Sequence, residues 1–283
     1  MRFVTFEHGG SRQAGVVEGE SVVSLAGAGF ADMLAVLQGG LEALRKISGF
    51  VAAPAGRIPL ASVKLRAPIP DPPKIVCMGL NYRDHAAEAG LEIPKYPVIF
   101  PKYSNTVIGS GDAIVLPKNS RKPDYEAELA FVIANRCRHV KAVDWREYVF
   151  GYMNANDVSA RDFQMAVSQW TMGKNFDTFA PMGPWLVSAD EIEDPHALGI
   201  SLTLDGETLQ SSNTRELIFR IPETVEFLSS VMTLEAGDVV LTGTPAGVGF
   251  TRKPPRWLTP GAEVVVRIDG LGELRNRCVA EHA

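Results

Sequence analysis

The stretch Pro123-Asp124-Tyr125-Glu126-Ala127-Glu128-Leu129-Ala130-Phe131-Val132-Ile133 limits this chain more than any other. It reads as a β-strand. Tyr125, Ala127, Leu129 and Phe131 point one way, and Glu126, Glu128, Ala130 and Val132 point the other. Two carboxylates therefore stand side by side on one face. Like charges at that range repel, so either both face bulk water or a cation sits between them. Charged residues mostly lie outside, and the spacing alone favours the solvated face.

The other totals narrow the class. A chain of 283 residues is long enough for one large domain, or a large domain and a small one. With 46% hydrophobic and 22% charged residues, the composition is that of an ordinary soluble globular protein. A net charge of −5 leaves no basic excess to neutralise phosphates, which argues against a nucleic-acid binder. The opening MRFVTFEHGG has no apolar core of a signal peptide, and no apolar run is long enough to span a membrane. Cys77, Cys137 and Cys278 are far apart and form neither a disulfide framework nor a metal clip. They read as small buried hydrophobes in a reducing cytoplasm.

The first 25 residues alternate and turn quickly, which predicts two or three short antiparallel strands. Residues 30–49 carry a helical apolar pattern. Residues 66–73, RAPIPDPP, hold four prolines and read as a linker. This places a small N-terminal β-containing module over 1–68 and a larger unit over 69–283. In the larger unit, Lys74–Met78 reads as a strand and Arg83–Ala89 as a helix stopped by Gly90. A further helix is expected to begin at Val158. Asp205-Gly206 signals a tight hairpin, and Pro222 opens an amphipathic helix. Strands outnumber helices, so the fold class is α+β, rich in mixed or antiparallel sheet.

Three groups of residues carry chemistry. The glycine-rich run Gly243–Gly249 follows a strand but lacks both dinucleotide and P-loop spacing. It reads as a plain loop, or as a turn offering backbone N–H groups and the Thr244 hydroxyl to an anion. His85 has Glu88 three residues on, on the same helical face. A carboxylate against imidazole fixes the tautomer and raises basicity, as a general base requires, although such pairs are also common on surfaces. His8, His139, His196 and His282 lack persuasive partners and read as surface residues. Finally, Glu126, Glu128 and a third acid such as Asp157 would form an all-oxygen site. Such sites suit Mg²⁺ or Mn²⁺ better than Zn²⁺, and spacing alone does not select Asp157 from the other acids.

Taken in order, Gly79-Leu80-Asn81-Tyr82, Asp84-His85, Glu88, Glu126-x-Glu128, Asn156-Asp157-Val158-Ser159-Ala160-Arg161-Asp162, Gln164, Lys174 and Thr242-Gly243-Thr244-Pro245 with Gly247-Val248-Gly249 resemble the fumarylacetoacetate hydrolase family. The match spans roughly residues 70–279. The resemblance implies that family's mixed β-roll or sandwich and a homodimer. It implies Mg²⁺ or Mn²⁺ on Glu126, Glu128 and Asp157, a water-activating His85–Glu88 dyad on a lid, and Lys174 stabilising developing negative charge. Arg161, Gln164 and Thr244 match positions lining the substrate site. Leu80 departs from the arginine that acylpyruvate-hydrolysing relatives often carry. The expected activity is hydrolysis of a C–C bond in a 2,4-dioxo acid through an enolate. Isomerisation, decarboxylation or lyase chemistry on a 2-oxo acid are alternatives with the same site, and a non-catalytic metal-binding scaffold is a third.

Overall fold

The computed structural model describes residues 1–52 and 56–281. His282 lies outside them. Two sheets carry the fold. In the larger, of twelve strands, the path runs Arg57–Pro59, Ser21–Ser24, Ser11–Glu18, Arg2–His8, Ala180–Ser188, Val149–Asn156, Ala127–Ile133, Val239–Leu241, Ile75–Gly79 and Val98–Lys102. Lys64–Arg66 and Val107–Ile108 pair off this path. The second sheet orders Glu207–Asn213, Gly199–Leu204, Glu263–Ile268, Glu273–Ala280 and Ala113–Leu116. Most pairings are antiparallel, but Val239–Leu241 runs parallel to Ile75–Gly79, so the fold is mixed, α+β and strand-rich as expected. The N-terminal strands do not form a sheet of their own. Arg2 pairs with Val187 and Phe3 with Leu186, which joins the opening meander to the central sheet.

The central strand Ala127–Ile133 is buried along its whole length. Its alternation works as the sequence implies, with a different outcome for the second face. Tyr125, Ala127, Leu129, Phe131 and Ile133 pack in one core with the second sheet, against residues such as Leu202, Val264 and Val266. Ala130 and Val132 join another core with the N-terminal helices, through Met33, Val36 and Leu37. The face that holds Glu126 and Glu128 is therefore covered, and the solvated-face reading does not hold.

Several local expectations need correction. The helical pattern over 30–49 becomes two helices, Met33–Gln38 and Gly40–Val51. The break falls at Gly39-Gly40, where Gly40 takes φ of 55°, a left-handed value open to glycine. The stretch 123–133 is two strands, because Pro123–Asp124 leaves to pair with Ser159–Ala160. The helix expected from Val158 begins only at Arg161 and lasts one turn, Arg161–Gln164. The helix Arg83–Ala89 ends at Gly90 with φ of 65°, and Asp205-Gly206 makes the predicted turn. Among the described residues, no helix is long and apolar enough to cross a membrane.

Candidate functional site

The floor of the site forms where three strands end. Glu126 and Glu128 flank the start of Ala127–Ile133, and Asp157 follows Val149–Asn156, the strand paired beside it. The backbone locks this junction: the Asp157 N–H donates to the Glu126 carbonyl at 2.9 Å and the Glu126 N–H to Asn156 Oδ1 at 3.0 Å. The three carboxylates are buried and each offers an oxygen within 4.8 Å of the others. Three buried anions at that range demand positive charge.

Three buried cations supply part of it. Lys174 Nζ donates to Glu126 Oε2 at 2.7 Å and to Asp157 Oδ2 at 2.6 Å. Arg161 donates from Nη2 to Glu126 Oε1 at 2.6 Å, from Nε to Asp124 Oδ2 at 2.8 Å and from Nη1 to Gln164 Oε1 at 2.8 Å. Lys102 Nζ reaches Asp157 Oδ1 at 2.7 Å and the carbonyls of Val158 and Lys174 at 3.1 and 2.5 Å. The charges are unevenly shared. Burial works against ionised Glu126, but the Arg161 and Lys174 cations outweigh it and hold this carboxyl down to about 2. Glu128 has only the Gly243 N–H, at 2.7 Å. Burial, then the Asp157 and Glu126 charges, push it well above the usual carboxylate range. A divalent cation among the three acids would remove that penalty, and an oxygen-only donor set suits a hard ion. Burial works against charged Lys174, yet Asp157 and Glu126 raise it, so it is a fixed ammonium.

A lid lies above this floor. His85 and Glu88 occupy the helix Arg83–Ala89, and His85 Nδ1 sits 3.3 Å from Glu88 Oε2. His85 is buried, with the Phe250 ring edge-on at 6.3 Å between centroids. Burial works against ionised Glu88, but hydrogen bonds from His85, Thr251 and the Gly247 N–H lower it, so it stays a carboxylate. The glycine-rich run does present N–H groups to anions, but these anions are the protein's own acids. Gly243 N–H serves Glu128, Ala246 N–H serves Asp84 at 3.4 Å, and Gly247 N–H serves Glu88 at 3.0 and 3.1 Å. Gly249 and Phe250 N–H groups serve Asp124 at 2.8 and 3.1 Å. Thr244 Oγ1 accepts from Gln210 Nε2 at 2.8 Å.

His85, Glu126, Glu128, Arg161, Gln164, Lys174 and Thr244 line one cavity of about 230 Å³, and Asp157 stands behind Lys174. Glu88 touches the cavity only through His85. A larger groove of about 500 Å³ between Pro72–Val76 and Ile99–Ser104 has no carboxylate in its walls. Sequence reasoning missed Lys102, Asp124 and Gln210. A signal existed for two of them. Asp124 extends the period-two acid stripe of Glu126 and Glu128, and Lys102 shares its strand face with Phe100. Gln210, whose Oε1 accepts from the Ala127 N–H at 2.9 Å, had no local signal because its partners are distant in sequence. His196 is another correction. It packs against Trp145, faces Asp194 at 3.3 Å and accepts from the Ile221 N–H at 3.2 Å.

Comparison with known proteins agrees with this geometry. A family model described as fumarylacetoacetate (FAA) hydrolase C-terminal matches residues 74–279, and one described as Rv2993c-like, N-terminal matches 1–68. Oxaloacetate tautomerase Fahd2a, mitochondrial, of Rattus norvegicus is 45% identical over 248 residues, covering 87% of this chain and 79% of that protein. Two solved structures each match 99–100% of this chain and 100% of their own. Fumarylacetoacetate hydrolase from Exiguobacterium antarcticum has a TM-score of 0.88 and 34% identity. Maleylpyruvate hydrolase from Sphingobium, in complex with manganese(II) ion and pyruvate, has a TM-score of 0.84 and 32% identity. From the central sheet to the acid floor and the lid, the chain belongs to the fumarylacetoacetate hydrolase family.

Proposed function

We propose that this chain is a divalent-metal-dependent enzyme that enolises a 2-oxo acid and interconverts its keto and enol forms. The observation that carries this reading is the buried Glu126, Glu128 and Asp157 cluster with Lys174 beside it and His85 in the wall of the same cavity. The 45% identity to a protein named oxaloacetate tautomerase supports proton transfer as the outcome. Mg²⁺ or Mn²⁺ held by the three acids would attract the carboxylate and 2-oxo oxygens of the substrate and draw electron density from the 2-oxo group.

The chain's own residues do the rest. Glu88 accepts the Nδ1 proton of His85 and leaves Nε2 to take a proton from C3. The C3–H electron pair becomes the C2–C3 double bond, and negative charge moves to the 2-oxo oxygen. Lys174 holds an ammonium next to that charge, preorganised by Glu126 and Asp157. Arg161 keeps Glu126 ionised and in place. The proton returns from Nε2 to oxygen for the enol, or to C3 for the keto form. Phe100, Trp170 and Phe250 shield the site from bulk water.

The test is C3 hydrogen–deuterium exchange of 2-oxo acids, followed by NMR with Mg²⁺ or Mn²⁺. His85→Ala should slow catalysed exchange by about 10²–10⁴-fold, the usual weight of a general base. Exchange at the wild-type rate in that variant rules out His85 as the base. Hydrolysis of a C–C bond is the second reading, favoured by the His85–Glu88 pair, which suits water activation. It predicts pyruvate release from an acylpyruvate or maleylpyruvate. A scaffold would bind the metal and turn over neither.

A further inference from the structure

We propose that the cavity selects 2-oxo acids whose C3 substituent is uncharged and apolar, and that Leu80, Met165 and Trp170 make this selection. The proposal rests on the enolising reading above and adds the class of tail. The cavity has two unlike ends. At one end are Glu126, Glu128 and Lys174, which fix where the carboxylate and 2-oxo group sit. Away from that end the walls are hydrocarbon: Leu80, Leu91, Val98, Met165, Trp170 and Phe250.

A second carboxylate on the substrate would need a cation or several N–H donors at the far end. Among the described residues lining the cavity, the permanent cations are Arg161 and Lys174. All three kinds of guanidinium nitrogen in Arg161 are engaged, with Asp124, Gln164 and Glu126. Lys174 is held between Glu126 and Asp157 at the charged end. Freeing either cation for a substrate tail would strand a buried acid.

The wall is built, and at a cost. Gly79 makes room for the Trp170 indole: a Cβ there would lie 2.2 Å from Cζ3 of Trp170. Trp170 then stacks edge-on against Phe100, with ring centroids 5.7 Å apart. Leu80 adopts φ of 50°, where a branched aliphatic residue is disfavoured, and so places a hydrocarbon rather than a glycine or asparagine at the cavity. At the mouth, Met165 is 67% and Leu91 56% exposed, both larger and more apolar than a solvent-facing position requires.

The experiment compares oxaloacetate with 4-methyl-2-oxopentanoate, in which an isopropyl group replaces the distal carboxylate at similar size. Both are followed by C3 exchange in D₂O with Mn²⁺, each rate divided by its uncatalysed rate, and by calorimetric binding to the Mn²⁺-loaded protein. The expected result is a kcat/KM and an affinity at least about tenfold higher for the isopropyl acid, the scale at which a hydrophobic pocket discriminates. Leu80→Arg should shift this preference towards oxaloacetate. Met165→Arg, at an exposed position that tolerates a charge without loss of folding, should do the same. Tighter binding of oxaloacetate to the wild type, with a ratio unmoved by Met165→Arg, overturns the proposal. If neither acid exchanges faster than in buffer while the isopropyl acid still binds more tightly, the tail selectivity stands and the enolising reading fails.

Discussion

The floor and the lid of the site are built in opposite ways. On the floor, Glu126, Glu128, Asp157, Lys102, Arg161 and Lys174 are all buried, and they are held at strand ends of a sheet covered on both faces. The lid is a seven-residue helix whose links to the body are a few hydrogen bonds from Asp84 and Glu88. It is followed by exposed Leu91, Ile93 and Tyr96. The floor is assembled by folding itself, whereas the lid carries the proton-transfer pair on an element that can open at low cost. This division lets the charge cluster stay ordered while substrate passes.

Mutations should separate the two regions, with the largest loss of stability on the floor. Lys102→Met leaves Asp157 short of one cation and two carbonyls without a donor. Breaking a buried pair costs about 3–5 kcal/mol, so thermal melting should fall by roughly 6–20 °C for a chain of this size. A drop of a degree or two would mean that the floor does not depend on its buried lysine. Next comes the metal. At a concentration about 100 times its Kd, a cation that binds only the folded state adds about 2.7 kcal/mol. Chelation should therefore lower the melting temperature of the wild type and leave Glu128→Ala nearly unmoved; an equal drop in both would remove Glu128 from the ligand set.

On the lid the effects are smaller. Asp84 accepts from the Ser212 hydroxyl at 2.5 Å and from the His85 N–H at 2.7 Å. Asp84→Ala should cost about 1 kcal/mol and speed proteolysis within residues 89–97, with the floor's metal affinity unchanged. Faster cleavage elsewhere first would show that the lid is not the loosest part. The smallest effect lies far from both regions. Burial, more than the Arg220 charge, lowers His196 below its ordinary value, against the pull of Asp194. Its neutral form accepts the Ile221 N–H, so the folded state binds the proton less readily than the unfolded chain. Stability is then present above about pH 6.5, the ordinary histidine value. It declines below that, until the folded-state imidazole is itself protonated. His196→Gln should flatten the slight fall in melting temperature between neutral and mildly acidic pH.

How much of this was legible in the sequence follows from the range of each interaction. The alternation of Tyr125–Val132 and the Arg83–Gly90 helix depend on neighbours in the chain, and both were readable. That the carboxylate face is covered was not, because the covering helices come from residues 33–51. His196 looked solitary because Trp145 and Ile221 are remote in sequence. The acids that might join Glu126 and Glu128 were equivalent by spacing. Only the pairing of Ala127–Ile133 with Val149–Asn156 brings Asp157, and no other acid, next to them. Lys102 was missed for the same reason, since each of its three acceptors lies more than fifty residues away.

The glycine-rich turn after Val239–Leu241 has a consequence for control. One continuous run of backbone amides, from Gly243 to Phe250, grips Glu128 on the floor and both Asp84 and Glu88 on the lid. The two ends of the catalytic machinery therefore share a single rigid reference. Whatever fixes Glu128 steadies the register in which the helix docks, and a docked helix returns the same free energy to the ion. Cation loading and helix docking thus form one reciprocal equilibrium, and the turn works as its crossbar.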